Sequence, residues 1–216
     1  MKMRHPTTRW QDAWRVPRVA FYLLGRPSDL VPYLRYGLSS KHTPLKLGMP
    51  WWSFGAVKAV GDFVTESMDA FEFGSGGSTL FLARRVKAVT CVEDSDQWAM
   101  AVETKACETG LNNIRIVTEH FDFASDAAFA ESSYFNALGG QKFDLIVVDG
   151  QEWSTKVRPL CFWRAEEFVK PGGAIVVDDS WRYPEIEEKN KAIRFEKHKG
   201  VGYCRRGVTS TSVFFY

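Results

Sequence analysis

Five carboxylates stand at the ends of apolar runs in this chain: Glu72, Glu93, Asp149 and the adjacent pair Asp178 and Asp179. Acids so placed can hold the hydroxyls of a ligand, take a proton in general base catalysis, or bind a hard cation. Directly after Glu72 the chain reads FGSGGST. Gly74, Gly76 and Gly77 permit backbone angles that a side chain forbids. They let a ligand lie against the main chain, while the helix that follows offers its free N–H groups. An apolar run, a glycine turn and a helix in that order make a nucleotide-type cofactor site. The competing reading is an ordinary tight turn.

The next apolar run, VKAVTCV, ends at Glu93 and Asp94, about 20 residues past the glycine turn, where a carboxylate can chelate two ribose hydroxyls. Glu93 can instead cap the helix that follows, because acids are favoured near a helix N-terminus. Between cofactor classes the details decide. A dinucleotide fingerprint, G-x-G-x-x-G, wants a glycine where Thr79 stands, and it expects no acid before the first glycine.

EFGSGGST instead resembles motif I of the class I S-adenosylmethionine-dependent methyltransferases, E/D-x-G-x-G-x-G. Glu72, Gly74 and Gly76 match, and Ser78 replaces the last glycine. FDLIVVDG resembles the fourth strand of that family with its terminal Asp149, KPGG the turn before the fifth strand, and AIVVDD that strand. The closing TSTSVFFY is similar to the last strand of the family's C-terminal antiparallel hairpin. The likeness covers about residues 51 to 216 and is nearest to small-molecule or sugar O-methyltransferases.

The resemblance implies S-adenosyl-L-methionine as cofactor, transferase chemistry and a small-molecule acceptor such as a sugar or natural product. Carried onto this chain, it implies a cofactor site of Glu72, Gly74, Ser75, Gly76, Ser78, Thr79, Glu93, Asp94, His120, Phe121 and Asp149. The turn would hold the methionine part and Glu93 the ribose. Glu119 to Asp122 would flank the adenine, with His120 or Phe121 stacked on it, although a core role for Phe121 is equally open. Asp149 would face the reacting methyl group as the catalytic residue.

Asp149, Asp178 and Asp179 should converge from strands about 5 Å apart, and unpaired they would repel until one took up a proton. Magnesium would relieve that repulsion and lower the pKa of a coordinated hydroxyl. Pairing with Arg158 or Arg182 would relieve it too, as would one aspartate of the pair pointing to the opposite face. Without a metal, Glu152 offers a base, though solvent exposure is its simpler account. Two other functions stay in view: a nicotinamide-dependent dehydrogenase, disfavoured by Thr79 and by the lack of length for a substrate domain, and an inactive cofactor-binding scaffold.

These groups have to be positioned by elements. Strand-like runs at 69–73, 86–92, 114–118, 143–148 and 174–178 alternate with helical stretches at 79–85, 95–108, 126–138 and 156–169. The expected fold is a doubly wound α/β Rossmann-like sheet, mostly parallel with helices on both faces. Ser53 reads as the N-cap of a helix that turns Ala56, Val57, Val60, Phe63 and Val64 to one side. Arg182 to Lys191 reads as a charged, exposed helix.

Residues 1–50 are expected to form a helical cap or lid over a domain at 51–216, with 38–50 as a polar linker or a mobile lid. Within 1–66, ten Lys or Arg face four Asp or Glu, and Trp10, Trp14, Trp51 and Trp52 fall there. That mix suits a solvated cap, and it also suits an anionic substrate, a partner or a membrane surface. With 216 residues and 45% apolar content, one good core is affordable. Net charge is +2, and no Lys/Arg run in the catalytic portion marks a nucleic-acid track. Four cysteines without C-x-x-C spacing and no apolar run of bilayer length predict a reduced, cytoplasmic protein without a transmembrane segment.

Overall fold

The computed structural model describes residues 15–38, 42–152 and 154–216. Among these residues seven strands form one sheet: β1 (Asp69–Phe73), β2 (Ala88–Glu93), β3 (Ile114–Thr118), β4 (Phe143–Val148), β5 (Val169–Val177), β6 (Arg194–Gly200) and β7 (Thr209–Phe215). Their order is β3-β2-β1-β4-β5-β7-β6. The first five are parallel, and β7 runs antiparallel between β5 and β6. The expected α/β fold with a C-terminal antiparallel hairpin is the observed one.

Period-2 alternation splits each central strand between two cores. Phe71, Phe73, Ile146, Val148, Ile175, Val177 and Phe214 enter one. Ala70, Leu145, Val147, Ala174, Val176 and Val213 enter the other.

Among the described residues eight helices, labelled in chain order, surround the sheet together with short turns: α1 (Arg15–Gly25), α2 (Pro44–Leu47), α3 (Phe54–Phe63), α4 (Gly77–Ala83), α5 (Asp96–Glu108), α6 (Asp126–Ala130), α7 (Val157–Ala165) and α8 (Pro184–Glu188). Ser53 caps α3, its Oγ accepting from the Ala56 N–H at 3.3 Å, and Ala56, Val57 and Val60 are buried as the pattern required.

Four elements depart from the sequence reading. KPGG lies inside β5 rather than ahead of it: Phe143 pairs with Val169 and Leu145 with Ala174, so Lys170–Gly173 bulge from the ladder. The helix expected over 126–138 stops at Ala130. Just beyond it the Ser132 hydroxyl donates to the Phe129 carbonyl at 2.7 Å and competes with helical pairing. The charged stretch after β5 is shorter than expected and half buried, with Tyr183 and Ile186 in the core. The first arm of the hairpin is Arg194–Gly200, which reads as polar because it is the edge strand and turns its charged side chains outward.

Ahead of the sheet, α1 and short helical turns at Pro27–Asp29, Leu30–Pro32 and Tyr33–Gly37 pack through Val19 and Tyr33 on Val201 of the β6–β7 loop. The Tyr33 hydroxyl donates to the Arg206 carbonyl at 2.9 Å. The presumed linker folds as well: Thr43 caps α2, and Gly48 closes it at φ 59°.

Candidate active site

The sheet ladder delivers the five carboxylates to one edge. Gly74 N–H bonds to the Val92 carbonyl at 2.7 Å, Asp149 N–H to Phe73 at 3.1 Å, and Asp178 N–H to Val148 at 3.3 Å. The carboxyl ends of β1, β2, β4 and β5 therefore lie side by side, where ligands of such sheets bind.

Within the glycine turn only Gly74 needs its lack of a side chain for its angles, at φ 95°, and a Cβ there would strike the Gly150 backbone at 2.9 Å. Gly77 is required by packing, since a Cβ would lie 2.2 Å from the Met49 carbonyl oxygen. Gly76 corrects the sequence reading. Its φ of 162° is extended backbone open to any residue, and an added Cβ would meet only the Trp98 ring at 3.9 Å. What Gly76 provides is open space, a cradle that a side chain would fill.

Glu72 does not face that space. It is buried, and accepts from the Ser78 hydroxyl and from Thr79 Oγ1 at 2.6 Å, while Thr79 Oγ1 accepts from the Gly76 N–H at 2.8 Å. The serine in the last glycine's place thus turns back onto the acid that opens the motif. Burial pushes Glu72 up to about 7 against the opposing pull of these hydroxyls.

Glu93 closes the other side of the turn. Its Oε2 accepts from Ser75 Oγ at 2.7 Å, and its Oε1 from the Asp94 and Ser95 N–H groups at 3.1 and 3.2 Å. The cap of α5 is Ser95, which accepts from the Trp98 N–H at 3.3 Å, so Glu93 is not needed for that role. Burial raises Glu93 to about 7. His120 donates from Nδ1 to the Asp94 carbonyl at 2.8 Å and stays exposed beside this rim. Phe121 packs on Phe129 and Tyr134, with ring centroids 4.8 and 4.6 Å away.

On the far side of β1, Asp149 Oδ1 pairs with Arg158 Nη2 at 3.0 Å, and its Oδ2 accepts from Trp52 Nε1 at 3.3 Å. Arg205 bonds both Asp178 Oδ2 and Asp179 Oδ1, the latter at 2.8 Å. Thr211 Oγ1 donates to Asp178 at 2.8 Å and Thr209 Oγ1 to Asp179 at 2.6 Å. Asp179 sits at φ 53°, which turns its side chain to Arg205 rather than across the sheet.

The magnesium expectation finds no support: Arg158 pairs with Asp149, Arg205 pairs with Asp178 and Asp179, Arg182 lies 3.7 Å from Asp179, and among the described residues no three ligating side chains form a metal cluster. Glu152 is likewise not a solvent-exposed base, because its carboxylate is ion-paired with Arg182.

With Arg182 near Asp179 and Glu152 counted, four acids meet three arginines, and a proton relieves the one negative charge in excess. Burial raises Asp178 to about 8 and Asp149 to about 6. Burial acts on Asp179 in the same sense, but Arg205 and then Arg158 outweigh it and hold its carboxyl well below the usual range. Side-chain exposure is 1% for Asp178, 15% for Asp179 and 17% for Asp149. Asp149 is therefore the carboxylate that is ionised near neutral pH, moderately basic and reachable.

Sequence reasoning missed Arg205, Trp98 and Tyr134. Arg205 lies in the irregular β6–β7 loop, where no periodicity marks it. The exposed Trp98 donates from Nε1 to the Ser75 carbonyl at 2.7 Å; an aromatic in the first turn after Glu93 was the available signal. Tyr134 packs against Gly150, where a Cβ would fall 2.2 Å from its hydroxyl.

A methyltransferase-domain family model matches residues 71–180, about half of the chain. No curated protein matches it at the level of sequence. Similar solved structures include a putative O-methyltransferase from Klebsiella pneumoniae, with TM-score 0.57, 15% identity, and coverage of 96% of this chain and 99% of that one. The O-methyltransferase TomG from Streptomyces achromogenes, involved in tomaymycin synthesis and solved in complex with SAM, gives the same four values. A putative rRNA-methylase from Clostridium thermocellum matches with TM-score 0.57 and 13% identity, covering 76% of this chain and 96% of that one. These neighbours give no support to the expected exclusion of nucleic acid. Among the described residues no helix is long and apolar enough to cross a membrane. The strand order, the glycine turn with its paired acids and the family match agree: the chain belongs to the methyltransferase-domain family and is a class I S-adenosylmethionine-dependent methyltransferase.

Proposed function

We propose that the enzyme methylates a hydroxyl oxygen of a small molecule, such as a sugar or natural product, without a metal. The observation that carries this reading is Asp149. It is a partly exposed carboxylate raised to about 6 beside the glycine turn, suited to take a proton from an acceptor hydroxyl at neutral pH. The likeness to two O-methyltransferase structures over 96% of the chain supports it.

S-adenosylmethionine, when bound, supplies a methyl group on a positively charged sulfur. The open space at Gly76 beside Trp98 would take its amino-acid part, Glu93 would offer carboxylate oxygens to the ribose hydroxyls, and His120 with Asp94 would border the base. Glu72, Ser78 and Thr79 act by fixing the turn. Asp149 receives the acceptor proton on a carboxylate oxygen, oriented by Arg158 and Trp52. Arg205 holds Asp178 and Asp179 and lies under the Trp51 ring, 5.1 Å from its centroid, so it shapes the acceptor wall. Most of the catalysis is then positioning.

Residues 1–50 are proposed as the cap and 51–216 as the catalytic domain. Four free cysteines support a cytoplasmic setting.

The test is transfer of labelled methyl from S-adenosylmethionine to panels of sugars, phenols and ribosomal RNA, with and without EDTA. Labelling of a hydroxylated small molecule in EDTA is expected. Labelling of RNA alone, or turnover that needs magnesium, overturns the reading.

A further inference from the structure

A water-exposed helix normally turns its polar side outward. α1 is apolar on its outer arc as well as on its inner one. At 3.6 residues per turn Val16, Ala20, Phe21 and Leu24 fall on its outer arc, and Phe21 and Leu24 are 82% and 84% exposed. Its inner arc carries Val19, Tyr22 and Leu23, which pack on the β6–β7 loop. The following turns are alike: Tyr33 is buried, while Leu30, Val31, Leu34 and Leu38 face outward, with Val31 at 71%. Seven of the thirteen large exposed apolar residues among those described lie in these 24 residues, a concentration that singly scattered surface residues do not give.

The same segment carries Arg15, Arg18, Arg26 and Arg35 against Asp29 alone, and the Asp29 carboxylate accepts from the Tyr22 hydroxyl at 2.6 Å. Two copies placed face to face would bring like charge together around the apolar contact. A nucleic acid would leave the leucines and Phe21 without an apolar neighbour. A bilayer surface with anionic headgroups satisfies both features, because acyl chains take the apolar arc and the headgroups meet the exposed Arg18, Arg26 and Arg35, while Arg15 turns inward beside Gly207. We propose that α1 and the turns up to Leu38 form a docking face for an anionic membrane surface. That face is built on the loop that carries Arg205, so the acceptor wall and the docking face share one support.

Docking of this face does not depend on the acceptor chemistry and is measured without turnover. The full-length protein is sedimented with vesicles of phosphatidylcholine alone and of phosphatidylcholine with phosphatidylglycerol. Binding is expected only with phosphatidylglycerol, weaker at high salt, and at least about tenfold weaker for the double variant Phe21→Asp, Leu24→Asp. That variant should keep the thermal shift given by S-adenosylhomocysteine, since both side chains lie outside the core. No pelleting with phosphatidylglycerol, or equal pelleting of the variant, overturns the proposal. So does a parent dimer that the variant splits in light scattering, or an RNA affinity that the variant loses while vesicles are ignored.

Discussion

Trp52 donates its indole N–H to Asp149 Oδ2 at 3.3 Å, which ties the segment ahead of α3 to the end of β4, 97 residues away in sequence. The donor stabilises the ionised carboxylate, so removing it should raise the Asp149 pKa. Trp52→Phe is expected to move the acid limb of the kcat profile to higher pH while cofactor affinity holds. An unmoved limb would show that Asp149 is not the titrating base.

Glu93 and Ser95 separate the ribose contact from the helix cap. Glu93→Ala should weaken S-adenosylhomocysteine binding by at least about tenfold, because charge-assisted bonds worth roughly 1.5–3 kcal/mol each are lost. Ser95→Ala should cost about 1 kcal/mol of stability and leave affinity nearly unchanged. Titration calorimetry and urea unfolding on both variants decide it; a Glu93→Ala protein that binds normally refutes the ribose role.

The buried acids make apo stability fall as pH rises. Glu72 keeps its proton to about 7 when folded, whereas the unfolded chain releases it near 4.5, so between those values the folded state binds more protons. Glu72 alone then contributes on the order of 3 kcal/mol, lost as pH rises through that window. Glu93 and Asp178 act in the same direction. The melting temperature of the free protein should therefore be higher at pH 6 than at pH 8. Cofactor affinity should move the other way, because Glu93 binds ribose as the anion. A melting temperature that climbs toward pH 8 contradicts the assignment.

Arg205 balances two buried aspartates from outside their strands. Arg205→Met should destabilise by about 3–5 kcal/mol, the usual cost of leaving a buried pair half made. Adding Asp178→Asn should recover part of that loss in urea unfolding. No recovery would mean that Arg205 acts by packing on Trp51.

The relay from the Gly76 N–H through Thr79 to Glu72 should need a hydroxyl. Thr79→Val leaves a buried N–H without its acceptor, at about 1–3 kcal/mol, whereas Thr79→Ser should keep both stability and cofactor binding. Equal thermal melts for the two variants would discount the relay.

The central sheet was legible in the sequence because its strands are apolar on both faces and end at acids or glycines. The signals for β1, the glycine turn and Ser53 are local in the chain. The same locality placed Glu72, Glu93 and Asp149 at one edge through the parallel alternation alone. The edge strand β6 was hidden because a strand facing solvent need not be apolar. The outward apolar arc of α1 was hidden because periodicity names a face without saying which way it turns.

Charge balance was decided only in three dimensions. Asp178 and Asp179 look like metal ligands in one dimension, since their partner Arg205 sits in a loop about 26 residues later whose path follows from hairpin pairing. Sequence spacing can bring carboxylates together. Which cation meets them depends on the tertiary route of chain segments with no periodic signal, and in this fold that route supplies guanidinium groups.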